Sequence, residues 1–361
     1  MKKKVFVFLF GILSIQTYQS VTFAQLGDVG SIISVMGNGA KGDASSILSA
    51  YLKPFGEGFG HDLNGGWYTT AKVHKPLGFD LSITATGAMV PSSDKSIDLN
   101  TLGLSSSATV SQGTSPTIAG DKVDGQTVSY KLSNGTKFTE FKMPQGTGLS
   151  IVPAPMVQVG LGLIKSTEVV VRFLPKTNLG NNVGSIGIFG LGVKHDIGQW
   201  IPAIKRLPFL NISAFVGYTS LKANAGIDLQ PSFYTSAAKG TLVIDYSNQD
   251  ALLQVNGLTT NIIASIDIPV ISVYAGLGLE KSKTTLKLNG NYPFPGLIGS
   301  QLTVDDKFAQ KDPVDATISN TGLKPRLNAG LKFKLGFIHL HADYTLAKYN
   351  YVSAGLAISV R

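Results

Sequence analysis

Over most of the chain, apolar residues alternate with small or polar ones, the period expected of strands that present one apolar face. In residues 77–90, Phe79, Leu81, Ile83, Ala85 and Met89 share one side, and Asp80, Ser82, Thr84 and Thr86 the other. Residues 157–163 divide into Val157, Val159, Leu161 and Leu163 against Gln158, Gly160 and Gly162. The same alternation recurs in 210–218, 262–268, 271–279, 327–335, 338–346 and 352–360, and 67–74 reads as a further strand. After Gln25 no run reaches the roughly 20 apolar residues that a helical membrane span requires. The connections differ in kind, short at 335–336 and 267–269 but long at 222–249 and 289–322. Short turns at one end and long loops at the other are the habit of outer-membrane barrels. The pattern therefore predicts an all-β fold, an antiparallel transmembrane β-barrel over residues 66–361. It would have an even number of strands, about twelve to fourteen, and a last strand that ends the chain. Residues 90–148, rich in Ser, Thr and Gly, allow one strand, a hairpin around Asn134-Gly135, or an extracellular excursion.

Two segments break the alternation. In 43–53, Asp43 is a capping residue, Ile47, Leu48, Tyr51 and Leu52 fall on one helical face, and Pro54 reads as a stop, with the glycine-rich run 55–66 beyond. A short N-terminal helical plug is expected within residues 25–65, because those four side chains need burial that a periplasmic tail would not give. In 196–208, Ile197, Trp200, Ile201 and Ile204 recur at helical spacing while Lys205 and Arg206 face away. This segment is expected to lie in the membrane interface, with Trp200 at the level of the lipid headgroups.

The first residues change the picture by giving an address. Lys2, Lys3 and Lys4 precede the apolar run VFVFLFGIL, and Thr22-Phe23-Ala24 ends a stretch that reads as a secretory signal over 1–24. From 31 basic and 22 acidic residues, losing those three lysines leaves 28 against 22, net +6. The excess is not clustered with stacking aromatics, so nucleic acid is not an expected partner. Only 15% of residues are charged, which suits a lipid-facing protein, and with no cysteine the chain has neither disulfides, thiolate metal sites nor a lipoprotein anchor.

At GWYTTAKVHKPLGFDLSI (66–83), GVKHDIGQWIPAIKRLPF (192–209) and ADYTLAKYNYVSAGLAISVR (342–361), behind a signal ending before Gln25, the chain resembles an uncharacterised outer-membrane family of Bacteroidetes-type bacteria, a numbered domain of unknown function. A helical N-terminal segment ahead of a long-stranded barrel is also similar, more distantly, to the FadL group of hydrophobic-compound transporters. One departure is that the chain ends in Val360 and Arg361 where such barrels commonly end in an aromatic residue.

Chemical motifs are sparse. GIFGLG at 187–192 lies in a strand pattern and lacks the helix a nucleotide loop needs, so its glycines read as lumen or bulge positions. Of five histidines only His339 and His341 form a local pair, which lacks a third ligand and reads better as lumen polarity than as a metal site. Ser353 and Ser359 beside these histidines leave a lipid-modifying hydrolase as the least favoured option. No cofactor, metal or catalytic residue is assigned. The last hairpins are expected to build a basic, partly hollow lumen site from Arg326, Lys332, His339, His341 and Asp343. In that arrangement a two-residue turn at 335–336 pairs Lys332 with His339 and Asn328 with Asp343, and puts Arg326 within diagonal reach of Asp343. Outer-membrane lipid is the expected surrounding. The leading functional expectation is passive transport of a small hydrophobic or amphipathic molecule; a structural or assembly barrel with a blocked lumen, partnering other envelope proteins, is the alternative.

Overall fold

The computed structural model describes residue 32 and residues 41–360 except 132–134, 136, 179–183, 234–236 and 300, so the signal expected at 1–24 lies outside the described residues. Ten antiparallel strands form a closed barrel, each bonded to its neighbours in sequence and the last to the first. They are β1 (Phe79–Met89), β2 (Ile151–Leu163), β3 (Thr167–Asn178), β4 (Ser185–Asp196), β5 (Leu210–Ile227), β6 (Gln249–Asp267), β7 (Ile271–Asn289), β8 (Val314–Leu335), β9 (Ile338–Leu346) and β10 (Tyr351–Val360). Closure is made by β1 and β10, paired from Phe79↔Val360 to Ala88↔Tyr351.

The alternation read from the sequence is the inside and outside of this wall. Phe79, Leu81 and Ile83 of β1 face outward, as do Leu161 of β2, Leu277 of β7 and Leu356 of β10, while Ser82, Thr84, Gly160, Gly162 and Ser353 face the lumen. An outer surface of exposed Leu, Ile, Val and Phe on a closed barrel has no unpaired edge and suits hydrocarbon rather than water. The four strands β5 to β8 run far past this belt, and the extended parts of β5 and β7 carry the outward lysines Lys222, Lys281 and Lys283. At one end the connections are 164–166, 197–209, 268–270 and 336–337; at the other they include 90–150, 228–248 and 290–313.

The strand number corrects the expectation of twelve to fourteen. Residues 67–74 are not a strand: their main chain bonds to lumen side chains, with Ala71 N donating to Ser265 Oγ and His74 N to Glu168 Oε2, so no neighbouring strand satisfies them. Residues 90–150 are an excursion at the long-loop end, holding small sheets such as Thr127–Lys131 against Lys137–Lys142 outside the barrel. Parts of the expected loops 222–249 and 289–322 are instead the far ends of β5, β6 and β8.

The helix α1 spans Lys41–Asp62 and passes through Pro54, where a stop was expected. Its second half enters the barrel, and glycines let it approach the wall. A Cβ at Gly58 would lie 2.5 Å from Val152, and one at Gly60 would lie 2.4 Å from Ser282. The glycine-rich run beyond Pro54 is thus what lets the helix fit inside the barrel. Ile47, Leu48, Tyr51 and Leu52 are buried at the long-loop mouth, among Leu99, Ile118, Val128 and Tyr130 of the excursion. Asp43 holds the helix start there, accepting from Ser105 N (2.9 Å), Ser105 Oγ (2.6 Å) and Tyr130 OH (3.1 Å). Burial, together with that carboxylate, pushes the Tyr130 phenol up. The 197–209 connection forms one short turn and the helix α2 (Pro202–Lys205), and Trp200 is 68% exposed beside it at the short-turn end.

Candidate functional site

After α1 the chain descends through the lumen to β1, and the barrel's inward side chains are built around it. Arg172 of β3 and Arg326 of β8 hold three successive carbonyls just past the helix end. Arg172 donates to Leu63 O (2.9 Å) and Gly65 O (2.5 Å), and Arg326 to Asn64 O (2.6 Å). Carbonyls at a helix C-terminus lack partners within the helix and carry its negative dipole end, so cations there answer both needs. Arg172 is fixed by Gln158 Oε1 (3.0 Å), and Arg326 by Thr259 Oγ1 (3.0 Å) and by Glu280, at 3.8 Å. Glu280 also meets His61 Nδ1 at 2.5 Å and accepts from Tyr351 OH at 3.0 Å. The His61 ring stacks on Tyr349 with centroids 5.4 Å apart.

Below this level the lumen is filled by aromatic rings set against glycines. Trp67 lies over Gly192 and Gly217, where a Cβ would come within 2.9 and 2.8 Å of the indole, and Tyr68 occupies the space at Gly276 and donates to Asn328 Oδ1 (2.8 Å). Gly192 closes the GIFGLG run, so that run serves packing. Thr70 then bonds Asp267 (2.8 Å), and Ser213 Oγ donates to Ala71 O (2.5 Å). At the short-turn mouth, His74 Nδ1 is 2.8 Å from Glu168 Oε2 and 4.0 Å from Asp80 Oδ1, while Lys194 Nζ lies 3.0 Å from Glu168 Oε1 and Ser359 Oγ lies 3.3 Å from His74 Nε2.

The expected lumen residues Arg326, Lys332, His339, His341 and Asp343 all face inward, but their register differs. Leu335 pairs with Ile338 around Gly336-Phe337, with Gly336 at φ +68°, a left-handed position that suits a glycine turn. Lys332 therefore stands opposite His341, Gly330 opposite Asp343 and Asn328 opposite Thr345, a shift of two residues that preserves the faces. Arg326 pairs with Glu280 of β7 rather than with Asp343, whose carboxylate accepts from Tyr274 OH (3.1 Å). The hollow expected beside the small residues is occupied: a Cβ at Gly330 would lie 2.4 Å from the Tyr274 ring, and one at Gly355 would lie 2.6 Å from that of His341. His341 Nε2 meets Thr84 Oγ1 at 3.1 Å, so this histidine serves the wall.

Sequence reasoning missed Arg172, Glu168, Glu280 and His74. Arg172 and Glu168 share the inward parity of TEVVVRFL, a segment never singled out; Glu280 lies one residue past the alternation read for β7; His74 was absorbed into a strand that does not exist.

No curated protein matches the chain. Among solved structures it is similar to the transport unit of the autotransporter AIDA-I from Escherichia coli (9% identity, 85% of this chain and 99% of that one, TM-score 0.29). It is also similar to the Pseudomonas putida toluene transporter TodX (9%, 86% and 97%, TM-score 0.25) and to Ail, the attachment invasion locus protein of Yersinia pestis (10%, 79% and 100%, TM-score 0.24). The uncharacterised family that the three sequence segments resemble is identified by a match over residues 1–360: the chain belongs to DUF6588, a family of unknown function.

Proposed function

We propose that this protein is an outer-membrane barrel closed by its own N-terminal segment, acting at the cell surface as a structural or assembly partner of other envelope proteins rather than as an open pore. The observation that carries the reading is the path of residues 41–78, which cross the lumen and are bonded to its wall at successive levels by Arg172, Arg326, Glu280, Asp267 and Glu168. The apolar outer belt supports the membrane location, and the excursions packed on α1 supply a built surface at the long-loop end. Passive transport of a hydrophobic or amphipathic molecule would require this segment to leave, exposing two buried guanidinium groups and three carbonyls that now satisfy one another.

Planar-bilayer recording tests the proposal. The full mature protein is expected to give no steady conductance, and deletion of residues 41–74, which removes the helix together with the aromatic filling at Trp67 and Tyr68, is expected to give a stable open level. A steady open level in the intact protein, or saturable uptake of a small hydrophobic compound into vesicles that hold it, would overturn the reading.

A further inference from the structure

From the short-turn mouth we infer a binding site for one transition-metal dication of the zinc type, with His74, Asp80 and Glu168 as its ligands. These residues come from the end of the lumen-crossing segment, the start of β1 and the start of β3, and one ligand atom from each lies within 4.8 Å of the other two. A cation held at about 2.0–2.2 Å in tetrahedral geometry sets its ligand atoms about 3.3–3.6 Å apart, so these three have to shift by only about an ångström to close on it. An imidazole in the set favours zinc and its neighbours over calcium or magnesium, which take oxygen ligands.

Three features around the cluster suit an ion. Gly160 lies beside the carboxylates, where a Cβ would fall 2.3 Å from Asp80 Oδ1 and 3.3 Å from Glu168 Oε1; only glycine leaves Asp80 Oδ1 the room to turn toward His74. Each of two ligands has an outer partner. Lys194 Nζ holds Glu168 Oε1 at 3.0 Å and leaves Oε2 toward His74, and Ser359 Oγ stands 3.3 Å from His74 Nε2. Such outer partners fix the orientation of metal-bound histidine and carboxylate. Asp80, by contrast, makes no hydrogen bond among the described residues, and its nearest ionic neighbour is His74 at 4.0 Å. Without an ion the imidazole can give its Nδ1 proton to one carboxylate only. On binding, the neutral ring carries its proton on Nε2, donates it to Ser359 Oγ, and turns the Nδ1 lone pair to the ion between both carboxylates. His74 and Asp80 have side-chain exposures of 11% and 20%, so an ion can enter from the mouth. Occupied, the site would tie the end of the lumen segment to β1 and β3 at once; its existence does not depend on the lumen being closed.

The test is zinc titration of the full mature protein in detergent after stripping with EDTA, read by calorimetry, with cobalt absorption as a second readout. One ion per chain is expected, with a cobalt spectrum of low-symmetry nitrogen and oxygen ligation. His74→Gln and Asp80→Asn should abolish binding, Ser359→Ala should weaken it roughly 10–100-fold, and the His339→Ala, His341→Ala double variant should bind as the parent does. Folding of each variant is checked by its heat-modifiable gel shift. Should His74→Gln fail to fold, Asp80→Asn decides, because that carboxylate has no hydrogen bond to lose. Absence of stoichiometric binding by the parent, or binding unchanged in Asp80→Asn, would overturn the inference.

Discussion

The guanidinium of Arg172 lies over the Trp67 indole, its central carbon 3.6 Å from the ring centroid, while its nitrogens donate to the carbonyls of Leu63 and Gly65. One side chain thereby joins the wall to the main chain and to the largest ring of the segment inside it. Planarity matters to both contacts, because a guanidinium can stack and make parallel hydrogen bonds where an ammonium cannot.

Arg172→Ala is expected to leave two buried carbonyls unpaired, at about 1–3 kcal/mol each, and to free Trp67. Arg172→Lys should recover only part of the loss. The heat-modification midpoint on gels measures the stability, and protease sensitivity of residues 41–78 measures the release. A midpoint unchanged in Arg172→Ala would show that the clamp is not needed.

Leu331 and Asn328 sit on opposite faces of β8. Leu331→Arg, on the outer belt, should cost about 2–4 kcal/mol of insertion stability and lower the yield in vesicle-insertion assays. Asn328→Arg should insert but displace Tyr68, which bonds Asn328, and so open residues 63–74 to trypsin. Equal insertion yields for Leu331→Arg and the parent would refute the facing.

Much of this was legible in the sequence, because period-two patterning reports which face a residue takes. The inward parity of Arg326, Lys332, His339, His341 and Asp343 follows from it directly. What patterning does not report is how far one strand slides along the next, since a slip of two residues leaves every face unchanged. That is why Lys332 meets His341 instead of His339. Nor does it reveal what fills a lumen: Trp67 and Tyr68 look like strand aromatics, and their partners Gly192, Gly217 and Gly276 lie more than a hundred residues away.

The glycine seats give a spectroscopic prediction. The chain has two tryptophans, Trp67 buried and Trp200 exposed. In a Trp200→Phe background, Gly217→Leu should push the indole from its seat and shift its emission to the red, with an overpacking cost of about 1–3 kcal/mol. Emission that stays at the parent wavelength would mean that Trp67 does not rest on that glycine.

The absence of cysteine makes single-thiol labelling clean. Gly42, exposed at the start of α1 on the long-loop side, and Val270, exposed in a short turn, report opposite ends. A membrane-impermeant maleimide added to whole cells should label Gly42→Cys and spare Val270→Cys until the outer membrane is breached. The reverse pattern would invert the orientation.

That placement of α1 constrains how the molecule is made. Lys41 stands at one mouth, Phe79 at the other, and the chain between them passes through the ring that later residues form. A helix whose glycines seat against side chains of the inner wall would have to pass those side chains to enter a finished hoop. Zipping the seam between β1 and β10 last, around a segment already in place, spares it that passage.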